Sequence, residues 1–378
     1  MNDWKHLRMG ELTARIPVIQ GGMGVGVSMS GLASAVANQG GIGVIAAAGI
    51  GMLEPDGFSN FLEANVRALR REIRRAREMT KGILGVNIMV ALSNFGDMVR
   101  TAVEEKIDII FSGAGLPLNL PEFLKGAGTT KLVPIVSSAR AAGLLIRKWM
   151  GKYGYLPDAF VVEGPLAGGH LGFKPEQIQD PGFSLDKLIL DVIAEVGPVA
   201  AERRKEIPVI AAGGIYTGGD IRRFLELGAS GVQMATRFVC TEECDASPEF
   251  KKTYITSKRE DLVIIKSPVG MPGRAIRNQY IDDVEAGKKK PFKCPYHCIV
   301  TCTRQSSPYC IALALISALK GRLKHGFAFA GANAYRASKI IPVKELFAEL
   351  RREFGEARRS RVADGGDKNN APALGCES

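Results

Sequence analysis

The chain has 378 residues, of which 46% are hydrophobic and 24% charged, and its net charge is +11. This is ordinary globular composition, with apolar material for one large α/β barrel plus an added segment, or for two domains. Such a charge can indicate nucleic-acid binding, but the basic residues lie mostly in helix-like stretches such as 67–77, and no nucleic-acid motif accompanies them. We therefore expect solvated helix faces and no nucleic-acid partner.

Neither a secretory signal nor a membrane span is evident. The N-terminus lacks a charged head followed by an apolar core, and the longest apolar stretches, such as 41–52, are too short and glycine-rich to cross a bilayer. The seven cysteines are expected to be reduced thiols rather than a disulfide framework. We expect a cytoplasmic protein with no membrane partner.

Short β-rich apolar runs alternate along the chain with helical stretches, such as 58–81, 139–153 and 218–227. This alternation indicates a parallel sheet, and eight strands is the number that closes a TIM barrel. A doubly wound open sheet is the structural alternative. The eight predicted strands are 17–20, 43–46, 84–89, 107–111, 131–136, 159–163, 208–212 and 231–234.

After the eighth strand the pattern changes. Residues 240–290 look irregular, and 291–356 look helical, with cysteines in front. The polar tail that follows lacks periodicity and is predicted to be disordered. The sequence thus predicts an α/β fold with a TIM barrel over 1–280, a helical, cysteine-containing lid or cap over 281–356, and a tail over 357–378.

Glycine motifs follow the first and seventh strands, on the face where barrels place their active sites, and the run 231–237 covers the eighth strand. Consecutive glycines let backbone N–H groups approach a flat or anionic ligand, although glycines also make plain turns. Gly213 and Gly214 after the seventh strand, with the Thr236 hydroxyl after the eighth, predict a phosphate site. Asn87 ends the third strand, where an amide suits hydrogen bonding to a heterocycle; a cap or turn residue is the alternative.

His170 follows the sixth strand in the run Ala167-Gly168-Gly169-His170. The glycine pair would present the imidazole at the active face, and an imidazole takes a proton near neutral pH with little tuning. We predict that His170 is a catalytic base, the alternative being a structural histidine in a loop. The small-residue stretch 326–336 either folds back over this face or forms a simple interhelix turn.

As a set, these motifs resemble the nitronate monooxygenase family, formerly called 2-nitropropane dioxygenases, which also contains FMN-dependent enoyl-ACP reductases and NAD(P)H:quinone reductases. The resemblance covers about residues 10–280 in family order. The matching pieces are Pro17-Val18-Ile19-Gln20-Gly21-Gly22-Met23, Ala167-Gly168-Gly169-His170, Ala211-Ala212-Gly213-Gly214-Ile215 and Gln233-Met234-Ala235-Thr236-Arg237-Phe238.

The resemblance implies FMN at the C-terminal ends of the barrel strands. It makes His170 the base that removes the α-proton of a nitroalkane, with flavin and O2 completing the oxidation. The residues that it assigns to FMN are Gly22, Met23 and Gly24 along the flavin, Asn87 at its ring or ribityl chain, Gly168 beside it, and Gly213, Gly214, Met234, Ala235 and Thr236 at its phosphate.

Two features depart from the family pattern. Many relatives carry an acidic residue just before the Ala-Gly-Gly-His run, where this chain has Pro165-Leu166. That change indicates a more apolar mouth and a different substrate. The second departure is the segment containing Cys294, Cys298, Cys302 and Cys310.

The first three of these cysteines are spaced i, i+4, i+8. If the segment is helical, they form one stripe in which the outer pair lies about 12 Å apart, too far for one zinc ion. If it is not helical, a four-cysteine Fe–S or zinc site remains open. Buried thiols that pack a lid helix are the simpler interpretation, and a redox-active pair is the other.

Three functions follow. The first is an FMN oxidoreductase of the nitronate monooxygenase type acting on a small molecule. The second is an NAD(P)H-dependent FMN reductase of a quinone or an enoyl thioester, for which the positive charge would suit an acidic carrier protein. The third is a phosphate-ligand-binding barrel without turnover. The sequence leaves the electron donor, the substrate and homo-oligomerisation open.

Overall fold

The computed structural model describes residues 4–124, 129–291, 294 and 296–365, with side chains described to residue 357. All eight predicted strands form, each within two residues of the predicted start. The strands, in chain order, are β1 (Leu7–Met9), β2 (Leu12–Ala14), β3 (Val18–Gln20), β4 (Ile42–Ala46), β5 (Ile83–Met89), β6 (Ile109–Gly113), β7 (Lys131–Val136), β8 (Phe160–Glu163), β9 (Gly169–His170), β10 (Val209–Ala212), β11 (Gly231–Met234), β12 (Leu262–Lys266) and β13 (Pro272–Ile276).

Helices follow most of the barrel strands and cover the outside of the barrel. Each of the three predicted helical stretches, 58–81, 139–153 and 218–227, contains a helix. The α-helices are α1 (Ser30–Asn38), α2 (Phe61–Met79), α3 (Phe95–Glu104), α4 (Ala139–Tyr153), α5 (Leu185–Arg203), α6 (Gly218–Leu227), α7 (Thr236–Val239), α8 (Pro248–Thr256), α9 (Gln279–Glu285), α10 (Ile311–Leu319) and α11 (Val343–Gly365).

The eight strands β3 to β8, β10 and β11 close into a parallel barrel. The predicted TIM barrel is therefore confirmed, and the open-sheet alternative is wrong. Because successive strand residues point to opposite faces, every second side chain enters the barrel interior. Ile19, Val44, Phe111, Val161 and Ile210 form one buried cluster there. The β1–β2 hairpin adds Leu7 and Met9 to the same cluster and closes the bottom of the barrel.

The last helix, α11, completes the outer ring of the barrel. It packs against α6 and α1, the helices that follow the seventh and first barrel strands. The approach to α6 is close because Gly218 has no side chain: a Cβ there would lie 2.1 Å from the Leu350 carbonyl oxygen. The backbone N–H of Gly218 donates to Glu353 at 2.7 Å. The helix extends into the tail predicted from residue 357, and the rest of that tail, 366–378, lies outside the described residues.

The cysteine segment does not form the helical stripe that its spacing suggested. Its described residues before α10 contain no helix, and the helices of the stretch 291–356, α10 and α11, lie after the cysteines. The reason is tertiary: the Ser93 N–H donates to the Cys298 carbonyl at 3.2 Å, and the Val300 N–H to the Ala91 carbonyl at 2.9 Å. Backbone groups that pair with the 91–93 loop are not available for a helix.

The four thiols do not surround a metal position. Cys294 is exposed and Cys298, Cys302 and Cys310 are half-buried. Within the part of the chain that the structure describes, no group of three or more His, Cys, Asp or Glu side chains is arranged to hold a metal ion. Cys298 and Cys310 instead pack beside Val25 and Tyr296 in a small apolar cluster, which agrees with thiols in a packing role.

Among the described residues, no helix combines the length and the apolar character needed to cross a bilayer.

Candidate active site

A cavity opens at the C-terminal ends of the barrel strands, and the uppermost inward-facing residues of the barrel form its floor. The strand period of two places Glu163 above Val161 on β8, and the side chains of Asn87 on β5 and Gln233 on β11 also reach the cavity. Three polar side chains thus stand on an otherwise apolar floor. The floor residues are Gly21, Asn87, Gly113, Ile135, Glu163 and Gln233.

Loops and the C-terminal segment form the walls and roof of the cavity. Met23, Gly24 and Val25 come from the loop after β3. Tyr254 of α8 and Phe329 contribute from later in the chain, and the Tyr254 hydroxyl donates to the Phe329 carbonyl. The stretch 326–336 therefore folds back over the active face, as one of its two interpretations proposed.

The structure brings together eight of the eleven predicted active-site residues. Met234, Gly213 and Gly214 do not line the cavity. Met234 is buried, and its carbonyl accepts the Gly21 N–H at 2.8 Å. Gly213 and Gly214 face the loop after β8: a Cβ on Gly213 would meet the Gly164 carbonyl oxygen at 2.9 Å. The eight that line the cavity are Gly22, Met23, Gly24, Asn87, Gly168, His170, Ala235 and Thr236.

Gly22 shows why the loop after β3 is rich in glycine. A Cβ on Gly22 would lie 2.3 Å from the Asn87 Cβ, closer than two carbon atoms can approach. The loop backbone can therefore lie directly over the floor only because that side chain is absent. The result is an open surface of backbone next to the Asn87 amide.

His170 is held by a short strand rather than by a free loop. β9 pairs with β13, which places Gly273 opposite His170 and Arg274 opposite Gly169. Gly169 has φ +77°, a left-handed conformation that favours glycine, so the Gly-Gly pair is needed to turn the chain into β9. The fixed backbone directs the imidazole into the cavity.

The surroundings of the imidazole favour its neutral form. His170 Nε2 lies 2.7 Å from Ser267 Oγ, and the Phe329 ring meets the imidazole edge-on at a centroid distance of 5.0 Å. Burial lowers the pKa of His170 to about 4, because the apolar surroundings disfavour the charged imidazolium. At neutral pH the side chain is therefore uncharged and able to accept a proton.

Arg274 holds the loop that leads to His170. Its guanidinium is buried, and Nη1 donates to the carbonyl oxygens of Pro165 and Ala167, both at 2.6 Å. Burial lowers the pKa of this arginine. Two carbonyls fixed by one buried cation define the path of the chain between β8 and β9.

Thr236 lies where the seventh- and eighth-strand loops meet the C-terminal segment. Its Oγ1 accepts the Gly331 N–H at 3.3 Å, which leaves its hydroxyl hydrogen available to a ligand. Asn333 Nδ2 donates to the Gly214 carbonyl at 2.6 Å. The loop 331–333 therefore connects Gly214 to Thr236, although Gly214 itself lies outside the cavity wall.

Several cavity or support residues were missed by sequence reasoning, among them Glu163, Tyr254, Ser267 and Phe329. Glu163 carried a signal, because Ala159, Val161 and Glu163 alternate inward on a predicted strand. Ser267 carried none, because 97 residues separate it from His170. The contacts of Tyr254 and Phe329 likewise arise only from the fold.

Comparison with known proteins gives concordant results. The model of the family described as nitronate monooxygenase matches residues 6–353. A (3aS,4S,5R,7aS)-5-hydroxy-7a-methyl-1-oxo-octahydro-1H-indene-4-carboxyl-CoA dehydrogenase of Mycobacterium tuberculosis is 30% identical over 273 residues, which is 72% of this chain and 66% of that protein. The chain therefore spans just under two thirds of the length of that relative.

Two further proteins match over more of their length. A Staphylococcus aureus protein named "Probable nitronate monooxygenase" is 28% identical over 311 residues, covering 74% of this chain and 81% of its own. The structure of FabK from Thermotoga maritima is 29% identical with a TM-score of 0.71, and the match covers 92% of this chain and 95% of that one. Because the family model matches most of the length of this chain, the chain belongs to the nitronate monooxygenase family.

Proposed function

We propose that the protein is an FMN-dependent oxidoreductase of the nitronate monooxygenase type, which oxidises alkyl nitronates with O2 and uses His170 as its base. The observation that carries this proposal is the meeting of His170 with the loops after β3 and β11 around one cavity. A neutral imidazole beside a flat, glycine-lined surface suits proton removal from a substrate that lies against a planar cofactor.

The cavity residues fit a flavin. The side chain missing at Gly22 leaves open backbone, and Met23, Ile135 and Phe329 offer apolar surface for a ring system. Asn87 would hydrogen-bond to the ring or ribityl chain, and Thr236 would donate to the phosphate. Ala235 and Gly168 also line the cavity and would contact the cofactor. Gly213, Gly214 and Met234 lie behind the cavity wall and remain predicted phosphate residues.

Bound FMN supplies the electron-accepting centre that none of the twenty side chains provides. His170 acts on the substrate: its neutral imidazole takes the α-proton of a nitroalkane. Once protonated, His170 carries hydrogens on both ring nitrogens, and Nε2–H donates to Ser267 Oγ. Ser267 thus stabilises the imidazolium at the moment it forms. The Phe329 ring packs edge-on against the imidazole and adds an apolar neighbour to it.

The test uses purified protein and an oxygen electrode. We expect a yellow protein that consumes O2 with nitronates. H170A should lower oxidation of neutral nitroalkanes by about 10²–10⁴-fold, the usual contribution of a general base, and spare preformed nitronates, which need no deprotonation. H325A is the matched control, because His325 is exposed. Equal loss on both substrates would exclude the base role, and a colourless protein that refuses FMN would exclude the function.

A second candidate is an NAD(P)H-dependent reductase or dehydrogenase of a thioester on the same scaffold. It is favoured by the CoA thioester in the name of the M. tuberculosis relative. For this second candidate, an acidic carrier protein is a predicted partner. Rapid anaerobic bleaching of the flavin by NADH or NADPH would support this candidate, and bleaching by a nitronate alone would support the first.

A further inference from the structure

Four of the seven cysteines lie between residues 294 and 310, and the function proposed above uses none of them. Two of these, Cys298 and Cys310, pack against the same small apolar cluster, which contains Val25 and Tyr296. Burial raises the pKa of Cys298 to about 12, and among the neighbouring thiols Cys310 contributes most to that shift. Both thiols are half-buried, so a small oxidant can reach them. They are therefore accessible near neighbours in the folded chain.

Cys310 occupies a position that favours a reactive thiol. It is the N-cap residue of α10, so its sulfur lies at the positive end of the helix dipole. Burial raises the pKa of the Cys310 thiol, whereas the N–H groups of Leu313 and Ala312 lower it. Because Cys298 lacks a helix end of this kind, Cys310 is the better nucleophile of the two.

The Tyr296 hydroxyl is a buried donor without an acceptor. Its side chain is only 6% exposed, and no described residue forms a hydrogen bond with the hydroxyl. Burial raises the pKa of this phenol, and the thiolates of Cys310 and Cys298 raise it further, which shows that both sulfurs lie nearby. A buried hydroxyl without a partner costs stability. An ionised or oxygenated sulfur beside it would accept its hydrogen.

We propose that Cys310 and Cys298 form a redox-active thiol pair, which hydrogen peroxide converts reversibly to a disulfide. The Cys310 thiolate attacks the peroxide: an S–O bond forms, the O–O bond breaks, and the departing hydroxide takes a proton and leaves as water. The Cys298 thiol then attacks the resulting sulfenic acid: the S–S bond forms, the S–O bond breaks, and a second water leaves with the thiol proton. Two thiols are oxidised, and one peroxide is reduced to water.

The disulfide would restrain one wall of the cavity. Leu315 of α10 lines the cavity, and Val25 belongs both to the cavity lining and to the apolar cluster that holds the two thiols. The Cys298 carbonyl accepts the Ser93 N–H, so Cys298 is tied to the loop after β5. A bond to Cys310 would fasten the start of α10 to this loop and limit opening of the helix.

The test treats purified full-length protein with hydrogen peroxide, alkylates the remaining thiols and maps the tryptic peptides without reduction. Trypsin separates the pair, because Cys298 lies in the peptide 294–304 and Cys310 in the peptide 305–320. We expect these peptides to be joined by a disulfide that a dithiol reductant breaks. C298S and C310S should lose the link. The matched controls C294S and C302S should keep it.

Amide hydrogen exchange measures the restraint on the wall. Oxidised wild type should exchange more slowly over 311–319 than reduced wild type, and C310S should not respond to peroxide. Unchanged exchange in linked protein overturns the restraint. If a variant does not fold, fragment ions of the linked wild-type peptides locate the bond.

Three results overturn the thiol pair itself. They are the absence of a link, a link that persists in C298S or C310S, and stoichiometric zinc or iron held by these thiols. None of these measurements needs flavin or a nitronate, because the thiol pair goes beyond the proposed function. Their failure therefore leaves the proposed function standing.

Discussion

His170 lies on β9 and Ser267 on the loop between β12 and β13, and their side chains meet with Nε2 and Oγ 2.7 Å apart. The serine is itself held in place, because its Oγ also accepts the Val269 N–H at 3.2 Å. The contact joins β9 to the loop between β12 and β13. A fixed oxygen beside the imidazole orients the ring and provides an acceptor for the imidazolium.

Replacing Ser267 with Ala should therefore slow proton abstraction. The loss of a hydrogen bond to a charged group costs about 1.5–3 kcal/mol, so kcat/KM for a neutral nitroalkane should fall roughly 10- to 150-fold. The value for the preformed nitronate should change little, because that substrate needs no base. S59A is the control, since Ser59 is exposed and does not line the cavity. Equal decreases with both substrates would contradict an effect through His170.

The pH dependence of proton abstraction should reflect the low pKa of His170. Burial places that pKa at about 4, and only the neutral imidazole accepts a proton. As pH rises through about 4, His170 loses its proton and the active form becomes populated, so kcat/KM for a nitroalkane should rise. From about pH 5.5 to 7, titration of His170 should cause no further change in kcat/KM. An acidic limb near pH 6.5, the value of a solvated imidazole, would show that the ring is not desolvated.

Replacing Gly22 with Ala should damage the cofactor site without unfolding the barrel. The added methyl group would collide with Asn87 at 2.3 Å, so the loop after β3 must lift off the floor. We expect at least a tenfold loss of FMN affinity, measured by fluorescence titration. G151A is the matched control, because nothing lies within 4 Å of its Cβ position and alanine favours a helix by up to about 1 kcal/mol. Stoichiometric FMN in purified G22A would contradict this prediction.

Replacing Arg274 with Met should affect both stability and activity. Two buried carbonyls, on Pro165 and Ala167, would lose their donor, at about 1–3 kcal/mol each. Since removing a buried charge offsets part of that cost, we expect the free energy of unfolding to fall by about 2 kcal/mol. Denaturant titration measures it. Activity should fall as well, because the loop to His170 is released.

Arg75 provides the comparison for this substitution. It is exposed on α2, so R75M should change the free energy of unfolding by no more than about 0.5 kcal/mol. If R274M and R75M unfold at the same denaturant concentration, the two carbonyl contacts do not hold the loop.

The barrel could be predicted from the sequence because its signals are local. Short apolar runs such as 131–136, each followed by glycine or polar residues and a helical stretch, specify the strands whatever surrounds them. Asn87 was predicted at the active face because it lies near the end of a predicted strand. The alternation of inward and outward side chains along the sixth predicted strand would have placed Glu163 there too. His170 was found in the same way, because a glycine pair after a strand points to the active face.

What required the folded chain were contacts between residues far apart in sequence. The spacing of Cys294, Cys298 and Cys302 favours a helix. In the folded chain, however, backbone groups of 298–300 form hydrogen bonds with the 91–93 loop. Because these groups are then not available for helical hydrogen bonds, the segment is not helical. Ser267 contacts His170, and α11 contacts α6, across long separations in sequence, so local patterns do not predict these contacts. Local periodicity determined the strands and the position of the histidine, whereas side-chain environment, and with it the pKa of His170 and Glu163, depends on burial that only tertiary packing creates.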